Sequence, residues 1–247
     1  MALSPTKVIN QIKEYTEDID NIFIDFSGGK YSLVLLHLAL KSLRDMRVVY
    51  IDTTITIPEN REYVKELQSD WGFELSIISR KDKDFWKVVR RWGFPHTRLR
   101  WCMREFKSIP LKLFNKPFGF NCIHLTGTTM NESTMREKVY SIRGKLHFNY
   151  SICSYVLHPL LTWNEEMINE YIRKHELPIN PCYSVYGSEG NCNYCPHNKS
   201  KEYYIKLART HPELFNKIVE TEKSMKRGGA AVYLGKGEVM YLSKLVY

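Results

Sequence analysis

Apolar residues fall into short blocks separated by polar punctuation. Residues 21–26 read NIFIDF, 47–52 RVVYID, 73–78 FELSII and 121–127 NCIHLTG. Each block is short and rich in β-branched or aromatic residues, so each predicts a buried strand. Between the first two lies YSLVLLHLALKSL (31–43), apolar nearly all round, which predicts a helix buried between layers. Between the second and third lies PENREYVKELQSDWG (58–72), opened by Pro58 and closed by Gly72 as helix punctuation requires. Residues 5–19 predict a further helix. So do 162–176, with Thr162 as N-cap and Glu165 three residues on. A helix near 200–224 and a hairpin turned at 235–237 complete the pattern.

Strands alternating with helices predict an α/β fold in three layers. The central sheet is mostly parallel, with helices on both faces. The expected organisation is one domain over residues 1–200, carrying a cysteine-bearing loop. A small extension over 201–247 packs on it. Neither an internal repeat nor a low-complexity tract interrupts this pattern. No stretch reaches the length of a membrane span, and the first twenty residues lack an apolar signal core. A cytoplasmic protein without membrane contact is therefore expected.

Charge sharpens the picture. The chain has 36 Lys and Arg against 27 Asp and Glu, a net +9. Between Arg80 and Lys107 stand ten basic residues against Asp82, Asp84 and Glu105, interleaved with Trp86, Trp92 and Trp101. Basic groups among flat rings suit phosphates and bases. A solvated amphipathic helix with its tryptophans turned to the core is the plainer reading, and for Trp86 alone it is the better one.

The candidate chemistry begins where the first strand ends. Ser27-Gly28-Gly29-Lys30 turns the chain into the apolar helix. Glycines permit positive φ and close approach, and the free N–H groups of a helix start favour an anion. Lys30 adds a charge, and Ser27 and Ser32 add hydroxyls. The spacing is neither that of a Walker loop nor that of a dinucleotide fingerprint. In open parallel sheets, ligands lie beyond the carboxyl ends of the strands. Asp52 and Thr53 end the second strand on that edge. Gly127 ends the fourth, followed by Glu132, Ser133 and Arg136. Asp52 suits a ribose hydroxyl, a metal or a simple turn. Arg136 suits a phosphate, or an ion pair with Glu132 one helical turn away.

Six cysteines in a chain read as cytoplasmic argue against disulfides. Cys192 and Cys195 form a C-x-x-C in a Gly/Asn-rich loop, Cys182 precedes them by ten residues, and Cys102 lies far upstream beside Trp101. Four thiolates fit a zinc ion or an iron–sulfur cluster. Ligands from distant segments favour the cluster. Cys122 and Cys153 lie in apolar runs and read as small buried hydrophobes.

Five segments then resemble, in order, the motifs of the phosphoadenosine phosphosulfate (PAPS) reductase family, which has the adenine-nucleotide α-hydrolase-like, or ATP-pyrophosphatase, fold. They are FSGGKYS, YIDTTITIPENREYVKEL, RWCMREFKSIPL, GTTMNESTMR and HPLLTWNEEMINEYIRKHELPINPCY. The resemblance implies an adenine nucleotide (PAPS, adenosine phosphosulfate or ATP) across the sheet edge. Its phosphates would lie on Ser27, Gly28, Gly29, Lys30 and Ser32. In the iron–sulfur branch it implies a [4Fe–4S] cluster on Cys102, Cys192 and Cys195, with Cys182 as a fourth thiolate. Lys30, Arg100 and Arg136 would hold phosphate and sulfate during reduction to sulfite by a thiol donor.

Three departures accompany the likeness. Tyr31 stands where the family loop has an acid, which bears on magnesium-assisted ATP cleavage. Thr129 stands where it has an arginine. No cysteine follows Cys195 in this chain, whereas the family's reductases carry one near the C-terminus. These departures point to two further readings. One is an ATP-dependent sulfur transferase acting on tRNA or DNA. The other is a catalytically silent subunit binding nucleotide and cluster. Donor proteins and a homo-oligomer are compatible with all three.

Overall fold

The computed structural model describes residues 3–225, 229, 231–236 and 238–245. The chain alternates between strands and helices from the start. α1 is Pro5–Thr16, β1 Asn21–Asp25, α2 Lys30–Ser42, β2 Arg47–Asp52, α3 Pro58–Trp71 and β3 Glu74–Ser79. A helical stretch follows: α4 Phe85–Trp92, α5 Trp101–Met103, a π-turn Arg104–Ser108 and α6 Ile109–Asn115. Then come β4 Cys122–Thr126, α7 Thr134–Arg143, β5 Leu146–Asn149, β6 Ser154–Leu157 and α8 Glu165–Lys174. The last part holds α9 Cys182–Tyr186, α10 Lys201–Thr210, α11 Pro212–Lys223, β7 Val232–Gly235 and β8 Glu238–Met240.

Six strands form the central sheet in the order β3-β2-β1-β4-β6-β5. All neighbours are parallel except β5 against β6. β1 is central because it is apolar on both faces: Ile22, Phe23 and Ile24 are all buried. The apolar α2 is enclosed as its composition predicts, packed on the sheet and touched by α1 and α8. α6 covers the opposite face, where Phe23, Val49, Leu111 and Val156 make a smaller core. The three-layer α/β expectation therefore holds. From β1 the chain runs outward to β2 and β3, then returns to β4 on the other side. Where the order reverses, between β1 and β4, a crevice opens at the carboxyl ends.

Local details differ from the sequence expectations for identifiable reasons. α1 stops at Thr16, whose hydroxyl bonds back to the Ile12 carbonyl at 2.8 Å. α8 is capped by Asn164 rather than Thr162: Asn164 Oδ1 accepts from the Met167 N–H at 2.9 Å. The stretch near 200–224 is two helices, because His211 leaves helical φ/ψ and Pro212 opens the next helix without an N–H to give. Cys122 is buried in β4, but Cys153 is half-buried in the β5–β6 turn at φ +53°. β7 and β8 pair antiparallel. Gly237 of the expected turn lies outside the described residues.

A second apolar cluster joins the helical stretch to the last part of the chain. It contains Trp86, Trp101, Tyr194, Tyr203, Phe215 and Leu242. The buried Glu222 carboxylate accepts N–H groups from Ala231, Leu242 and Ser243, which ties the terminal segment to α11. The basic segment is partly neutralised within itself. Arg80, Lys83 and Arg104 all pair with buried Glu105. Trp86 and Trp101 face the core, whereas Trp92 is exposed.

Candidate functional site

The crevice at the β1/β4 switch is a cleft of about 560 Å³. Its floor is Asp25 and Thr126, the last residues of β1 and β4, which face each other in register. One wall is the glycine loop. Gly28 has φ +81°, and a Cβ there would stand 1.9 Å from Asn60 Oδ1. Two buried asparagines hold that loop. Asn60 Nδ2 donates to the Ser27 carbonyl at 3.3 Å and contacts Tyr50 Oη at 3.1 Å. Asn180 Nδ2 donates to the Gly28 carbonyl at 3.1 Å, to Asn60 Oδ1 at 2.7 Å and to the Glu189 carbonyl at 3.1 Å. Gly127 lets β4 pass the start of α2, since a Cβ would stand 2.7 Å from the Tyr31 backbone.

No side chain caps α2 in the usual way. Its first N–H, on Lys30, instead donates to Tyr183 Oη at 3.2 Å. Ser32 Oγ donates to the Gly29 carbonyl at 2.9 Å and lies 3.3 Å from both the Ser27 amide and Ser27 Oγ. The loop is thus pre-folded, and its helix dipole points into the cleft.

The other walls are cationic. Lys107, Arg136 and Arg143 line the cleft against Glu132 and Glu189. Burial lowers the Arg136 pKa below the usual arginine value, and Arg100 nearby adds to this. Both effects favour an anion here. Buried His158 also lines the cleft, and burial pushes its pKa down to about 3, so its ring is neutral. Thr126 Oγ1 donates to Thr128 Oγ1 and therefore accepts from His158 Nδ1–H at 2.6 Å. That leaves Nε2 as a buried acceptor with no partner among the described residues.

Of the expected ligand residues, the cleft gathers Ser27, Gly29, Ser32, Gly127, Glu132 and Arg136. Gly28 shapes the loop behind them. Lys30, Arg100, Asp52, Thr53 and Ser133 do not line the cleft. Lys30 Nζ lies 5.0 Å over the Tyr183 ring and 3.4 Å from Asn169 Oδ1. Arg100 lies 3.4 Å from His197 on the surface. Asp52 Oδ1 accepts from the Thr54 N–H and the Thr56 hydroxyl, and Arg61 pairs with the same carboxylate, which is the turn arrangement. Thr53 is buried and donates to the Asn191 carbonyl at 2.8 Å. Ser133 caps α7 by accepting the Arg136 N–H. Glu132 pairs with Arg136 and accepts the Thr129 N–H. Tyr31 lines the cleft, its phenol pKa raised by burial with Glu165 adding to it.

Cys102 and Cys192 both pack against the second apolar cluster, and Cys192 Sγ lies 3.4 Å from Thr53 Oγ1. Cys102 feels Cys192 and Cys195, and Cys192 feels cleft-lining Lys107 and Glu189. Burial pushes the Cys102 thiol up to about 11 and raises Cys192 as well. Cys182 is buried against Gly190 and feels Glu59 and Glu189; burial pushes its thiol up to about 12. Soft thiols in this number suit zinc or an iron–sulfur cluster better than a hard cation. Among the described residues, however, no three His, Cys, Asp or Glu side chains converge to hold a metal ion.

The family model described as the phosphoadenosine phosphosulfate reductase domain matches residues 21–194, which includes the six strands of the central sheet, the glycine loop and the C-x-x-C loop up to Tyr194. The chain belongs to this family. Two uncharacterized proteins of Methanocaldococcus jannaschii are 29% and 30% identical to it over 221 and 213 residues, or 88% and 85% of this chain. The chain spans 52% and 43% of those relatives, about half their length. An adenosine 5'-phosphosulfate reductase of Bacillus mycoides is 25% identical over 188 residues, covering 73% of this chain and 75% of that one. A PAPS reductase from Candida auris, solved as a phosphate complex, superposes with a TM-score of 0.56 at 19% identity, covering 74% and 85% of the two chains. An NH3-dependent NAD synthetase from Campylobacter jejuni superposes at 0.53 and 14% identity, covering 91% and 93%. These two structures share the fold. No helix among the described residues is long and apolar enough to cross a membrane.

Proposed function

We propose that this PAPS reductase-family protein binds an adenine nucleotide bearing a phosphosulfate and reduces its sulfate to sulfite with a dithiol donor. What supports the reading is the cleft at the glycine loop lined by Lys107, Arg136 and Arg143, with Cys192 close enough to Lys107 to feel its charge and Cys102 close enough to feel Cys192 and Cys195. Phosphates would rest on the glycine loop, with Arg136, Lys107 and Arg143 neutralising charge. Cys102, Cys192 and Cys195 would hold a [4Fe–4S] cluster or zinc, with Cys182 as the fourth thiolate. Sulfite release from adenosine phosphosulfate or PAPS, with a thioredoxin-type dithiol and anaerobically purified protein, is the direct assay. No sulfite from either nucleotide overturns the reading.

A second reading, ATP-dependent sulfur transfer to nucleic acid, is favoured by one observation. Arg90, Arg91, Arg98 and Arg100 are exposed along one segment with Trp92. Affinity for tRNA or DNA falling steeply with salt would support it. Pyrophosphate release from ATP would then be expected despite Tyr31, and its appearance only in Tyr31→Asp would show that this position blocks that chemistry. Nucleotide and metal binding with neither activity would leave the silent-subunit reading.

A further inference from the structure

The floor of the cleft holds a proton whose place the hydrogen bonds define. Asp25 ends β1, and His124 lies on neighbouring β4 opposite Phe23. Asp25 Oδ1 stands 2.6 Å from His124 Nδ1, and Asn115 Oδ1 stands 2.9 Å from His124 Nε2. The Asn115 amide cannot be turned over, because its Nδ2 donates to the Ile152 carbonyl at 2.9 Å. A flipped amide would set oxygen against oxygen there. Asn115 Oδ1 only accepts, so His124 Nε2 carries a hydrogen. Nδ1 and Asp25 Oδ1 then share a second one, since two bare lone pairs would repel at this distance. The pair is either imidazolium beside carboxylate or imidazole beside carboxylic acid. In both forms it holds one transferable proton.

The surroundings give that proton one exit among the described residues. His124 is wholly buried against the Phe23 ring, at 5.1 Å between centroids. The Asp25 side chain is 24% exposed and lines the cleft two residues before the glycine loop. The charged groups facing it across the cleft are Lys107, Arg136, Arg143, Glu132 and Glu189, with His147 and His158 on the far wall.

We propose that Asp25 is the general acid of this cleft, recharged by His124. The assignment rests on the function proposed above. A thiolate of the donor attacks the sulfur of the bound phosphosulfate and forms an S–S bond. The S–O bond breaks, its electron pair passes to the phosphate oxygen, and the shared proton moves from Asp25 to that oxygen. The donor's second thiolate then displaces sulfite and closes a disulfide, so the donor is oxidised by two electrons. Solvent returns the proton to the Asp25–His124 pair after the nucleotide leaves. Asp25 would touch substrate, and His124 is a positioning residue acting through it.

Two measurements test this separately. Proton and 15N NMR of the wild-type protein should show a far-downfield exchangeable proton on the His124–Asp25 bond, absent in Asp25→Asn. A His124 ring with one protonated nitrogen and no such signal overturns the shared proton, whatever the substrate. In turnover assays, Asp25→Asn and Asp25→Ser should keep nucleotide affinity within about threefold and lose sulfite release by 10²-fold or more. Unchanged turnover, or affinity lost together with turnover, overturns the acid role. Failure of the wild-type protein to bind any adenine nucleotide removes the proposed function instead, and the NMR signal then decides the proton pair on its own.

Discussion

Replacing Gly28 with alanine should unfasten the glycine loop, and the cost follows from the contacts. The residue sits at φ +81°, where an alanine costs about 1 kcal/mol before any contact is counted. Its Cβ would stand 1.9 Å from Asn60 Oδ1, so the Asn60 side chain must leave. Leaving breaks its bond from Asn180 at 2.7 Å, its bond to the Ser27 carbonyl and its contact with Tyr50. At about 1 kcal/mol for each buried hydrogen bond, the loss is roughly 4 kcal/mol in total. For a chain of this size that corresponds to a melting point lower by roughly 8–16 °C. Gly72→Ala is the matched control: φ is +68° and nothing lies within 4 Å of its Cβ. It should cost about 1 kcal/mol, or roughly 2–4 °C. Thermal unfolding of the two variants side by side isolates the clash. Equal melting points would refute the asparagine clamp.

Arg136→Ala should weaken phosphate or nucleotide binding at least about tenfold by calorimetry, because a charge-assisted contact is lost. Ser133→Ala, which removes only the α7 cap, should cost about 1 kcal/mol of stability and leave that affinity unchanged. His158 gives an acid-sensitive signature. Its folded pKa is held at about 3, while an unfolded histidine takes up its proton near pH 6.5. The stability it contributes is present above about pH 6.5 and is lost as pH falls. By pH 5 the loss is about 2 kcal/mol, and denaturant titrations of His158→Gln should lack that part of the slope. Serine at Cys102 or Cys192 should abolish iron or zinc retention in elemental analysis of anaerobically purified protein, whereas Cys153→Ser should retain it.

The layered fold was legible because each strand and helix carried its own periodicity and punctuation. Pro58 and Gly72, for example, bound α3 where the sequence places them. The glycine loop was legible because its glycines and the Ser27 and Ser32 hydroxyls bond within the loop itself, although the asparagines that clamp it come from distant segments. What escaped was tertiary. Lys30 reads in the sequence as a phosphate ligand; in the fold its ammonium lies over the ring of cleft-lining Tyr183 and near Asn169. Asp52 looked free to bind, but Thr54, Thr56 and Arg61 already occupy its carboxylate. Asp25 and His124 left a signal that was passed over: a lone acid and a lone histidine, each in an otherwise apolar strand. Asn60 and Asn180 carry no sequence signature, because their partners are backbone carbonyls brought together only by folding.

The hydrogen bonds behind the cleft form a chain of their own. Thr53 and Thr56 grip the Asn191 carbonyl, Ile57 the Gly190 carbonyl and Asn193 the Ile55 carbonyl, while Asn180 links Gly28 to Glu189. The loop that carries Cys192 is therefore stitched to the glycine loop. Stiffening at either end is felt at the other, and such coupling is reciprocal by thermodynamic necessity. If a metal bound at the proposed cysteine site tightens nucleotide binding by some factor, nucleotide must tighten that site's hold on the metal by the same factor. Oxidative damage to the thiols would then loosen the protein's grip on nucleotide without altering any residue of the cleft.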